Sequence, residues 1–152
     1  MPKKVHTGLE WIFRIILGGA LVVAGYFKIL DNSALFETVA YITWIPNSLK
    51  SLLIDTLPYI EIIAGGLLLS KLFDKVAVPV VTLIYVSFLL FAIYGFSTGI
   101  EGDCGCFGDL GDDGILAALL GSSFGWTMTI RNTIFVAMAG FLFWKPAQKK
   151  GS

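Results

Sequence analysis

The chain reads as an all-α integral membrane protein: a four-transmembrane-helix bundle with an additional short interfacial helix on its outer side. Three observations predict this. Hydrophobic side chains make up 56% of the 152 residues and charged ones only 14%, a balance that sets it apart from ordinary soluble domains. The apolar residues gather into four blocks, each close to the ~20 residues needed to cross a hydrocarbon core. The basic residues between the blocks fall almost entirely on one side of a four-pass topology. A very apolar soluble bundle is the alternative that these features disfavour. A net charge of zero, with no basic stripe interleaved with aromatics, argues against a nucleic-acid partner.

Taken in order, Met1 to His6 form a short arm carrying Lys3 and Lys4, and the first span covers 9–30. That apolar run is too long for a signal-peptide core, contains Arg14 and is followed by no small-residue cleavage site, so it is read as retained. Ala20 and Ala24 have the small-xxx-small spacing that lets helices approach closely. Asp31 and Asn32 stop the helix. In Ser33 to Asn47, Leu35, Phe36, Val39, Ile42 and Ile45 recur near a helical period. That segment is too short to span and predicts the interfacial helix, with Trp44 at headgroup depth.

The second span is expected over 54–73, with Pro58 tolerated early in the helix. Lys71, Asp74 and Lys75 make a tight polar turn into a third span, 76–96, with Pro79 in its first turn. The last span is 126–144, followed by Lys145, Lys149 and Lys150. The whole of 1–152 forms a single membrane domain, with outer loops at 31–53 and 97–125. Within the second loop, Ile115 to Leu120 is an apolar run able to dip into the interface or cover its neighbours.

Orientation follows from charge. Lys3, Lys4, Lys71, Lys75, Lys145, Lys149 and Lys150 share one side. The other side sets Lys50 against Asp31, Glu37 and Asp55, and its second loop holds five acidic residues and no basic one. Both termini are therefore expected in the cytoplasm, with 97–125 outside. Trp11 and Trp144 mark the inner interface, Trp44 and Trp126 the outer one.

The loop carries the only two cysteines, in Glu101-Gly102-Asp103-Cys104-Gly105-Cys106-Phe107-Gly108-Asp109. A Cys104–Cys106 bond closes almost no loop and so constrains little of the unfolded chain. It is expected to be strained and easily reduced. Facing a compartment where disulfides persist, the pair reads as a redox couple before a soft-metal clip. No metal site is expected. Met128 is the one methionine near the loop, so a copper site would have at most three protein ligands. His6 falls on the opposite side of the membrane, as a solvated side chain.

Ionisable groups inside spans are expensive and need a reason. Arg14 lies near the inner end of its span, where it is expected to snorkel to headgroups. Lys28, Glu61 and Arg131 all fall in the outer third, beneath the cysteine loop. One reading is a structural ion pair of Glu61 with Lys28 or Arg131. The other is that a cation there favours the thiolate, the reactive form of cysteine, while Asp103 disfavours it beside Cys104.

Several segments resemble the MauE/DoxX group of four-helix bacterial membrane proteins. Arg14 to Gly18 with Ala24 to Lys28 is similar to that group's first helix, and Leu57 to Gly65 to its second. Cys104-Gly105-Cys106-Phe107-Gly108 resembles the signature of the MauE branch, and Arg131-Asn132 a pair in its last helix. The stretch from Asp109 to Gly125 is longer than that resemblance leads one to expect. The resemblance implies a bacterial cytoplasmic membrane and thiol–disulfide chemistry outside it, beside thioredoxin-like or other disulfide-containing proteins.

The expected function is therefore a membrane thiol–disulfide oxidoreductase with Cys104 and Cys106 as its couple. Lys28, Glu61 and Arg131 are its supporting residues. Cys106 is favoured as the attacking sulfur. With a single pair, electrons must leave directly to another protein or to a quinone held among the outer helix ends. The alternatives are a quinone-linked sulfur-compound oxidoreductase, which the DoxX side implies, and a membrane chaperone or copper carrier.

Overall fold

The computed structural model describes residues 3–99 and 126–149. Five helices fill these residues: α1 (Lys3–Leu30), α2 (Ser33–Ala40), α3 (Asn47–Ser70), α4 (Asp74–Thr98) and α5 (Trp126–Lys149). α1 packs along α3 and α4 along α5, while α3–α4 and α1–α5 contacts close the ring. α1, α3 and α4 are long and apolar enough to cross a bilayer; the apolar part of α5, Met128–Trp144, is shorter.

Polarity is inverted relative to a soluble bundle. Ile15, Ile63, Leu83, Leu90 and Ile134 point outward, whereas Lys28 and Glu61 are at most 1% exposed. Such a surface suits lipid as solvent, because the backbone groups beneath it are already satisfied within the helices. Inside, Leu17, Leu21, Leu68, Val81, Tyr85 and Met128 lie within one continuous core. A smaller cluster of Leu35, Val39 and Ile54 seats α2 on α3.

Glycine sets the α1–α3 distance. A Cβ on Gly65 would stand 2.6 Å from the Gly18 carbonyl, and one on Gly25 would stand 2.6 Å from the Pro58 carbonyl. Ala20 and Ala24 are buried in the core as their spacing suggested, but it is Gly18 and Gly25, seven residues apart, that let the two backbones meet.

The boundaries differ from expectation in instructive ways. α2 stops at Ala40 instead of continuing to Asn47. The β-branched Ile42, Thr43 and Ile45 resist helix, and Pro46 pushes the residue before it toward extended backbone. Asp31 accepts the Ser33 N–H at 2.9 Å, and that bond holds its carboxyl below the usual carboxylate range. Pro46, at φ −60° and ψ 145°, then opens α3 well before the expected 54, which makes Pro58 an interior residue. Its ring removes the N–H that would have bonded to the Ile54 carbonyl. α3 ends at Ser70, short of 73, because Lys71 and Phe73 turn left-handed at φ 58° and 55°. α4 starts at Asp74 and runs to Thr98, enclosing the expected 76–96.

Candidate functional site

Among the described residues, two polar centres interrupt the apolar interior, one toward each end of the bundle. At the end holding the α3–α4 turn, Arg14 is buried. Its two terminal nitrogens donate to Asp74 Oδ1 and Oδ2 at 2.9 Å each. Nη1 also donates to the Leu68 carbonyl at 3.2 Å, one of the acceptors that the last turn of α3 leaves open. Glu10, one turn back on α1, accepts from the same guanidinium at 3.3 Å. Arg14 thus does not snorkel to headgroups: a bidentate carboxylate and a helix-end carbonyl satisfy its planar fork inside the protein. Lys71 adds a second tie, its ammonium 4.3 Å from the Trp11 ring.

The other centre lies toward the end where α1 stops, α3 begins, and 100–125 leaves α4 and returns to α5. Lys28 Nζ donates to Glu61 Oε1 at 2.5 Å, with both side chains fully buried. Helix geometry brings them together. Side chains lean toward their own helix's N-terminus, so Lys28 reaches inward from α1 and Glu61 outward from the antiparallel α3. The ammonium also sits 5.0 Å from the Phe88 ring of α4. Tyr85, one turn deeper on α4, donates to the Leu17 carbonyl at 2.7 Å and meets Phe135 of α5 edge-on at 5.2 Å.

Of the residues the sequence singled out, the structure joins Lys28 with Glu61, choosing that ion pair for the carboxylate. Arg131 is half-buried on α5, within electrostatic reach of the Tyr85 hydroxyl. Met128 is buried in the core on the same helix. Cys104 and Cys106 lie outside the described residues, as does the run Ile115 to Leu120. Among the described residues, no group of three or more His, Cys, Asp and Glu side chains could hold a metal ion. A cleft of about 490 Å³ separates α2 from α3, with Phe36, Val39 and Ile54 among its apolar lining and Lys50 and Asp55 among its polar lining.

Sequence reasoning missed Asp74 as a partner and Tyr85 and Asn132 as interior polar groups. Asp74 read as one more charge in a turn, and nothing in its neighbours points sixty residues back to Arg14. Asn132 carried a signal: it is an amide in the middle of an apolar helix, where polar side chains face inward.

Long apolar helices enclosing a lysine–glutamate pair and an arginine clasp define a helical membrane protein that crosses the bilayer more than once and touches lipid along its outer face. Its family is shown by comparison. The model of the family described as methylamine utilisation protein MauE matches residues 7–145, and the chain belongs to that family. No curated protein and no solved structure matches it.

Proposed function

We propose that this protein is a four-span thiol–disulfide exchange protein of the bacterial cytoplasmic membrane, with Cys104 and Cys106 as its redox pair. One observation carries the reading: a MauE-family chain whose only two cysteines stand one residue apart, between α4 and α5. The lysine asymmetry supports cytoplasmic termini, an outward cysteine segment and α2 at the outer interface. The family's description speaks for a role in methylamine utilisation, and exchange chemistry fits the maturation of a disulfide-containing protein outside the membrane.

The exchange balances in two steps. A cysteine thiolate bonds to one sulfur of a partner disulfide, and the other partner sulfur leaves as a thiolate and takes up a proton. The second cysteine, as thiolate, then displaces the partner, which departs as a dithiol while Cys104–Cys106 becomes the disulfide. Run backwards, the same steps oxidise the partner. The pair is reset by a second redox protein or by a quinone, and a change in quinone absorbance under turnover distinguishes the two. Lys28, Glu61 and Arg131 are the supporting residues in this reading, a cation among them favouring the thiolate.

Cysteine replacement tests the mechanism. Removing the resolving cysteine strands the mixed disulfide. Cys104→Ser should therefore accumulate a reductant-sensitive, higher-mass species on a non-reducing gel, and Cys106→Ser should give little. The opposite asymmetry exchanges the roles of the two cysteines and leaves the chemistry intact. No adduct from either variant, with disulfide maturation retained in both, would sink the exchange reading.

A further inference from the structure

Glu61 Oε2 and both polar atoms of the Asn132 amide are buried with no hydrogen-bond partner among the described residues. Glu61 and Asn132 are each 0% exposed. Leaving such groups unpaired is costly, so native interiors pair them with protein or with ordered water.

The contacts bring the residues that carry these atoms to one level of the bundle. Lys28 stands over Phe88 and bonds Glu61. Phe88 is one turn outward from Tyr85 on α4, and Tyr85 meets the ring of Phe135. Asn132 is one turn outward from Phe135 on the buried side of α5. Phe88 and Asn132 therefore share a level, and Glu61 reaches it through Lys28. The α1–α3 pair and the α4–α5 pair thus each bring unsatisfied polar groups to a common interior level.

The donor and acceptor inventory defines what fits between them. Glu61 Oε2 and Asn132 Oδ1 each require a donor, and Asn132 Nδ2 requires an acceptor. One water supplies two donors and a lone pair, and buried waters make about three hydrogen bonds each. A carbonyl compound would satisfy only the amide nitrogen. A cation would add charge to a Lys28–Glu61 pair that is already balanced.

We propose that Glu61 and Asn132 hold a buried water that bridges α3 to α5, hydrating the ion pair from the side opposite Lys28. This reading is independent of the cysteine chemistry.

Radiolytic footprinting of the full chain in lipid nanodiscs tests it with water as the probe. Brief X-ray exposure turns bound water into hydroxyl radicals that oxidise the side chains touching it, and ¹⁸O-labelled water marks the oxygen's source. Met128, one turn from Asn132 and 1% exposed, should be oxidised at short exposure. Asn132→Leu should lower that yield several-fold and leave Met138 unchanged, whereas Asn132→Ser, which keeps a donor and an acceptor, should retain it. Asn132→Leu should also lower the thermal midpoint. An unoxidised Met128 in the wild-type protein overturns the proposal without recourse to any variant. So does an Asn132→Leu protein with undiminished Met128 oxidation, or one that melts higher, as removal of a truly unpartnered amide would make it do.

Discussion

Arg14 and Asp74, sixty residues apart in the chain, meet through two parallel hydrogen bonds of 2.9 Å. The guanidinium side chain is 4% exposed and the carboxylate 39%, so the pair is anchored inside and wetted on one side. It fastens α1 to the turn that joins α3 and α4, at the opposite end of the bundle from Lys28 and Glu61.

The two partners should respond unequally. Arg14→Leu removes the bonds to Asp74, Glu10 and the Leu68 carbonyl together and should cost about 2 kcal/mol. Asp74→Asn leaves a cation that still bonds Leu68 and Glu10, at a site water partly screens, and should cost about 1 kcal/mol. Thermal midpoints in one detergent check the order. A larger loss for Asp74→Asn would mean that the guanidinium depends on that single carboxylate.

The Lys28–Glu61 pair obeys a different rule, because bulk solvent does not reach it. Glu61→Leu strands an ammonium in the core and should cost roughly 3–5 kcal/mol. The double variant Lys28→Met/Glu61→Leu removes both charges and should be more stable than Glu61→Leu alone. A double-mutant cycle gives the coupling directly. Additive losses would show that the two side chains are solvated separately in the bilayer.

Helix contact distance makes a third test. Gly65→Ala drives a methyl into the Gly18 carbonyl, and Gly25→Ala drives one into that of Pro58. Backbone cannot yield as a flexible side chain does, so both should destabilise. Gly66→Ala, with no neighbour within 4 Å, should be neutral or gain up to about 1 kcal/mol from helix propensity. Equal effects at Gly65 and Gly66 would place the α1–α3 contact elsewhere.

The proposed orientation is checked in intact cells. An impermeant thiol reagent should label reduced Cys104 or Cys106 from outside, while tags at both ends stay protected. Labelling that appears only after permeabilisation would reverse the topology.

Much of this architecture is legible in the sequence because membrane spans announce themselves by length and apolar content. α1, α3 and α4 need no tertiary information to be found, and Lys28 and Glu61 stand out as charges within apolar runs. What escaped depends on distant partners or on absent atoms. The sequence points Arg14 to headgroups because the carboxylate it bonds lies on another helix. Gly18, Gly25 and Gly65 act through the side chain they lack, which no hydropathy pattern registers. Pro46 shows the local limit. It lies within the segment expected to form the interfacial helix, and it opens the next helix instead.

The three-residue turn Lys71–Phe73 leaves too little chain for α3 and α4 to enter a membrane separately. They must insert as one hairpin, after α1 has already been made. During that interval Asp74 has yet to be synthesised, and Arg14 must sit in or beside the bilayer without it. Glu10, one turn away on the same helix, is the carboxylate available from the start. The arriving hairpin adds Asp74 and the Leu68 carbonyl to a cation that Glu10 still holds.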